Sequence, residues 1–104
     1  MNLMQGNTYR LPIKLKMCGR YLSADEVLRV EFTIGEVVKH FPEEVTYEDG
    51  RFILPLSQEE TFSLGGMTRY QVRALFFDGS VKSSQVLVTN VKRSISEEVL
   101  CHEG

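Results

Sequence analysis

The sequence predicts an all-β chain, an antiparallel sandwich of about seven strands with one or two short helical turns. Three observations carry this expectation. Apolar and polar residues alternate with a period of two over most of the chain, the pattern of strands with one wet face. Asp49-Gly50 and Asp78-Gly79 each sit between strand-like runs and mark hairpins, because a type I′ turn needs positive φ at both central residues. Turn signals recur at the spacing of a small sandwich.

The hairpin at Asp78-Gly79 is the organising stretch. In its first strand Tyr70, Val72, Ala74 and Phe76 share one face, and Arg69, Gln71 and Arg73 share the other. The return strand has a register problem. Strict two-residue pairing sets Gln85 beside Val72, and a buried unpaired amide costs roughly 1–3 kcal/mol. A bulge near Ser83-Ser84-Gln85 that turns Val86 and Val88 inward is therefore expected.

The other elements follow in order. Residues 1–7 read as a leader, flexible or partner-docking. From Thr8 to Lys16, Tyr9, Leu11, Ile13 and Leu15 point one way and Arg10, Pro12, Lys14 and Lys16 the other. Pro12 lacks a ladder donor and places this strand at an edge. Cys18-Gly19-Arg20 is a turn, and Ser23 with Glu26 forms a capping box. Leu28, Val30, Phe32 and Ile34 face inward on the cleanest strand. Glu36 to Phe41 is a further strand, broken by Pro42-Glu43-Glu44. Val45–Glu48 and Arg51–Leu56 flank the other hairpin, with Phe52, Leu54 and Leu56 on one face. Ser57 with Glu60 caps a single helical turn that crosses between sheets. Gly65-Gly66 then reverses the chain. In the tail, residues 94–104, Ile95, Val99 and Leu100 have helical spacing, and the segment either frays or docks on a neighbour. Residues 1–104 are expected to form one domain.

Composition narrows the function. The net charge of −2 argues against nucleic-acid binding. No apolar run approaches a membrane span. The N-terminus lacks a signal-peptide pattern, so a cytosolic product is expected. Cys18 and Cys101 read as free thiols in a reducing compartment, with a disulfide as the alternative. Cys101-His102 is too little for a zinc site. The acidic pairs, such as Glu43-Glu44 and Glu59-Glu60, read as solvated turns, and His40 lacks a nucleophile pattern beside it. No catalytic or phosphate-binding motif is present. The expectation is no enzyme, no cofactor and no metal. The candidate interaction residues are Tyr9, Leu11 and Ile13 on the edge strand, Arg69 and Arg73 on the outer face of the central strand, and Ile95, Val99 and Leu100 in the tail.

Tyr70, near the start of a late strand, reads either as the tyrosine corner of an immunoglobulin-like sandwich or as a plain core or rim tyrosine. Several stretches carry a family resemblance: Gln5-Gly-Asn-Thr-Tyr-Arg-Leu-Pro-Ile-Lys-Leu15, the run Leu22 to Ile34, Leu56-Ser-Gln-Glu-Glu-Thr-Phe62, Tyr70-Gln-Val-Arg73, Phe77-Asp-Gly79 and Ser96-Glu-Glu-Val-Leu100. Together they resemble the immunoglobulin-like N-terminal domain of phage baseplate upper proteins, and short stand-alone prophage proteins of that type. The likeness covers nearly the whole chain. It stops where such a protein continues into a receptor-binding-module adaptor, which leaves the place in the particle open. The resemblance implies a non-enzymatic structural or adaptor component of a phage or prophage tail or baseplate. Its partners would be other phage structural proteins or further copies of itself. It would be found in the virion, or in the host cytoplasm during assembly. The alternative is a bacterial immunoglobulin-like module that binds carbohydrate or protein through an aromatic platform of Tyr21 and Tyr47. A small hydrolase is a distant third.

Overall fold

The structure, a computed structural model, describes residues 2–17 and 19–101. Its strands are β1 (Asn2–Met4), β2 (Tyr9–Ile13), β3 (Lys16–Met17), β4 (Arg20–Tyr21), β5 (Val27–Ile34), β6 (Val37–Phe41), β7 (Thr46–Glu48), β8 (Arg51–Leu56), β9 (Gly66–Phe76), β10 (Val81–Ser83) and β11 (Leu87–Lys92). A 3-10 turn spans Ala24–Glu26, and one short helix, α1, spans Gln58–Phe62. Strand takes up 55% and helix 8% of the described residues, which are mostly β, as the alternation predicts.

Burial of alternate residues explains the layers. On β5, Val30, Phe32 and Ile34 are buried, and on β9 so are Val72 and Ala74. Phe52, Leu54 and Leu56 of β8 meet them from the facing layer. Phe52 is the hub of the ring contacts, with Phe32 at 5.9 Å, Phe41 at 5.2 Å and Tyr47 at 4.8 Å between centroids. The larger sheet runs β1-β11-β9-β5-β6, with β10 also on β9. The smaller runs β2-β8-β7, and β3-β4 is a separate hairpin. Edge placement of β2 agrees with the expectation from Pro12.

Several expectations need correction. There are eleven strands among the described residues, not about seven, because five of them are only two or three residues long. The large sheet is curled and mixed, since β1 runs parallel to β11. Asn2–Met4 of the leader are therefore part of the sheet, and Leu3 is buried. Leu28 does not face inward. A bulge between Val27 and Arg29 gives Val27 the core position and leaves Leu28 45% exposed.

The two Asp-Gly turns differ. Asp49 and Gly50 both have positive φ, 52° and 78°, and link the pair Glu48↔Arg51 as a two-residue turn. At Asp78-Gly79 only Gly79 is positive, at 90°. Its N–H donates to the Phe76 carbonyl, and the Phe76 N–H donates to that of Ser80. This is a three-residue loop with a glycine bulge. It shifts β10 by one residue, pairing Val81 with Leu75.

The expected bulge after Ser83 exists, but it restores register instead of turning Val86 and Val88 inward. Leu87 pairs with Tyr70 and Val88 with Arg69, so Val88 faces out and Thr89 and Val91 face the core. In the gap, the Ser84 N–H donates to the Val72 carbonyl, and the Val72 N–H donates to Ser84 Oγ. The Gln85 side chain stays exposed, so no amide is buried.

The tail after Lys92 is not helical over the described residues. Cys101 is exposed, and its pairing with Cys18 lies outside the described residues.

Candidate interaction surfaces

Both chain ends meet at α1. Both partners of the capping box at its start are made: Glu60 N–H donates to Ser57 Oγ at 3.1 Å, and Ser57 N–H donates to Glu60 Oε1 at 2.8 Å. Glu60 also takes Lys39 Nζ at 2.7 Å. Burial pushes the Glu60 carboxyl up, but Lys39 and the Ser57 N–H outweigh it and hold it below the usual range. The Thr61 side chain is fully buried. Its hydroxyl accepts from the Gly6 N–H at 2.9 Å and lies 2.9 Å from the Asn7 carbonyl, to which it can donate.

The tail is fixed differently. Gln58 Nε2 donates to the Leu100 carbonyl at 2.7 Å, and Gln58 Oε1 accepts the Leu100 N–H at 2.9 Å. One side-chain amide thus imitates a strand partner for one residue of the tail. Gln5 Oε1 accepts the Ser94 N–H at 3.2 Å. Beneath the tail lies a hollow of about 330 Å³ lined by Asn7, Phe62, Ser96 and Leu100 among others. The tail is held by its main chain while its apolar side chains look outward. Ile95 is fully exposed at 105% and Leu100 is 72% exposed, with Val99 at 39%.

The edge-strand candidates are placed otherwise. Tyr9, Leu11 and Ile13 are half-buried and pack against the core, so only the outer main-chain edge of β2 is open. Tyr9 Oη accepts the Met4 N–H at 2.9 Å. Beyond β2, the two layers leave an apolar cleft of about 210 Å³, lined by Pro12, Ile13, Phe32, Leu54, Tyr70 and Val72 among others. Tyr70 stands at its wall, and its hydroxyl makes no hydrogen bond within the described residues. That is a rim tyrosine, without the bond that defines a tyrosine corner.

Arg69 and Arg73 share a face but not an environment. Arg73 lies 3.4 Å from Glu31, whose carboxylate is also 3.6 Å from His40 Nε2. His40 Nδ1 lies 3.8 Å from Glu44, and Arg29 pairs with Glu43, whose carboxyl it holds below the usual range. Arg69 has no ion-pair partner among the described residues and stands beside exposed Val88. The hollow over the charged group, about 190 Å³, is lined by Arg29, Glu31, His40, Arg73, Ala74, Leu75 and Val81, which include no hydroxyl or thiol to act as a nucleophile. Among the described residues, no group of three or more His, Cys, Asp or Glu is placed to hold a metal ion.

Three features escape sequence reasoning: the Gln58 clamp, the Gln5 bridge, and Lys14 and Lys16 stacked on Tyr21 at 5.1 and 5.7 Å. Only the last has a local signal, since Lys16 and Tyr21 face each other across the β3–β4 hairpin.

Comparison with known protein families, with curated proteins and with solved structures finds no match. No helix among the described residues is long and apolar enough to cross a membrane.

Proposed function

We propose that this chain is a non-enzymatic structural or adaptor module of a phage or prophage tail or baseplate, acting through protein–protein contacts. Its home is the virion and, during assembly, the host cytoplasm. Neither nucleic acid nor membrane is a partner. The observation that carries the adaptor reading is the tail: its main chain is tied to Gln58 and Gln5 while Ile95 and Leu100 point into solvent. Apolar side chains held out on an anchored segment are what a groove or sheet edge on a partner would bury. The particle assignment rests on the resemblance of the quoted stretches.

The finer fold reading, an immunoglobulin-like sandwich, is part of this proposal. Strand order supports it. The order β2-β8-β7 is that of strands B, E and D, and β11-β9-β5-β6 is that of G, F, C and C′. The α1 turn then occupies the E–F connection. The carbohydrate-binding alternative has less behind it. Tyr47 is packed edge-on against Phe52 at 4.8 Å, and the Tyr21 ring carries two lysines.

The test is mass spectrometry of particles purified from a culture that expresses the gene, together with inspection of its gene neighbours. The chain is expected in the particles, beside portal, tail-tube or tape-measure genes. Deleting residues 94–104 should leave a folded protein that no longer enters them. A chain absent from particles, with no such genes nearby, sinks the reading.

A further inference from the structure

We propose that the tail of one copy, residues 94–100, docks in the interlayer cleft of a second copy; this deepens the adaptor reading and rests on it.

The cleft is a consequence of unequal sheets. The smaller sheet ends at β2, while the larger continues past β9 to β11. Ile13 and Leu54 form one wall, and Phe32, Ile34, Tyr70 and Val72 the other. Leu87 pairs with Tyr70, shares its face, and is 45% exposed because nothing in the smaller sheet reaches over it. A volume of about 210 Å³ is ample for an aliphatic side chain, since an engineered apolar cavity of about 150 Å³ admits benzene. The open main-chain edge of β2 runs along the same opening.

The chain's own tail is led away from this cleft. β11 starts at Leu87, beside the opening, and ends at Lys92, roughly 17 Å further on at strand rise. From there the tail passes to α1, where Gln58 holds Leu100. A second copy can offer what the first cannot use. Ile95, Val99 and Leu100 are apolar and exposed, and the cleft is apolar and unfilled.

Charge selects the same partner. Glu97 and Glu98 lie between the apolar residues of the tail and are exposed. Lys14 follows Ile13 of the cleft wall, and Lys16 lies two residues on. Both are exposed and without a carboxylate partner among the described residues, resting only on Tyr21. An acidic tail with apolar ends thus meets an apolar slot whose wall strand β2 leads directly into two lysines. Tail and cleft are different patches, so the contact is head-to-tail and builds a closed ring or a filament.

Native mass spectrometry of the full chain over a range of concentrations tests this. One variant, Ile95→Asp with Leu100→Asp, spoils the tail. A second, Leu87→Arg with Lys14→Glu, spoils the cleft at exposed positions only. Circular dichroism of both should match the parent. The parent is expected to form oligomers that grow with concentration, and each variant alone to need at least about tenfold more protein for the same mass. Mixed in equal amounts, the variants should give a one-to-one dimer and nothing larger, because one brings only a cleft and the other only a tail. A parent that stays monomeric to about 1 mM, or a mixture that stays monomeric, overturns the inference. Particle entry separates the two readings. A monomeric chain that still enters particles through its tail refutes self-docking alone, whereas absence from particles refutes the adaptor reading at any mass.

Discussion

The N-terminal and C-terminal segments both rest on α1, and they rest on it in opposite ways. The first gives its side chains to the core: Leu3 is buried with Ile34, Leu56, Leu64 and Val91, and Gly6 bonds to the buried Thr61 hydroxyl. The second gives only its main chain, through Gln58 and Gln5, and keeps Ile95 and Leu100 outside. The difference teaches that position is not stability. Apolar burial supplies free energy in proportion to the area covered, whereas a side-chain amide bonded to an exposed peptide mainly exchanges one hydrogen bond for another with water. The first end is part of what holds the fold together. The second is held in place at little gain to the fold and is free to serve a partner.

The largest effect should come from emptying the buried end. Leu3→Ala removes a buried side chain from a core cluster it forms with five other buried residues, at a cost of about 3 kcal/mol. Thermal unfolding should show a midpoint lowered by more than about 10 °C, against a shift of a degree or two for loss of residues 94–104. Equal shifts would abolish the contrast. Thr61→Val comes next. It keeps the volume but leaves the Gly6 N–H and the Asn7 carbonyl without their partner, for about 2 kcal/mol in denaturant unfolding.

Much of the buried end's surroundings was legible, and little of the exposed end's. Period-two alternation located Val30, Phe32 and Ile34 on β5 and Phe52, Leu54 and Leu56 on β8, because burial on one face imposes it. Glu26 and Glu60 were legible as partners of Ser23 and Ser57, because a capping box closes over three residues. Asp49-Gly50 followed the turn rule and Asp78-Gly79 did not. In the latter, Asp78 accepts both the N–H and the hydroxyl of Ser80, which favours the longer loop and lowers the Asp78 carboxyl. Leu28 was misplaced because a bulge resets the alternation without changing composition. The parallel β1–β11 pairing and the Gln58 clamp join residues far apart in the chain, and no local pattern encodes such contacts.

Between the two ends sits Glu60, which caps the helix that serves both. Its carboxyl is held below the ordinary value in the fold. Its stabilisation is therefore complete above the unfolded-state value of about 4.3 and is lost as pH falls through the lower folded value. Glu60→Gln keeps an oxygen for the Ser57 N–H but leaves Lys39, whose side chain is only 16% exposed, without its counter-charge. A cost of about 1 kcal/mol at pH 7 is expected, lying between the values for exposed and buried pairs. The gap between parent and variant should narrow as pH drops below about 4. A gap that widens in acid would mean that Lys39 is not what lowers the carboxyl.

The smallest effect on stability, and the sharpest on the contrast, should follow Gln58→Ala. Both of its hydrogen bonds go to Leu100, and both atoms lie near water, so unfolding should shift by less than about 0.5 kcal/mol. Local opening is another matter. Without the amide, the Leu100 N–H has only solvent, and its hydrogen exchange should rise to that of an unstructured peptide while amides of β9 and β11 keep their protection. If protection is lost in β11 as well, the tail is a strut of the sheet and not a separable arm. If Leu100 exchanges freely in the parent too, the clamp contributes nothing, and a partner would have to order the tail itself, at the entropic cost of any disordered segment that folds on binding.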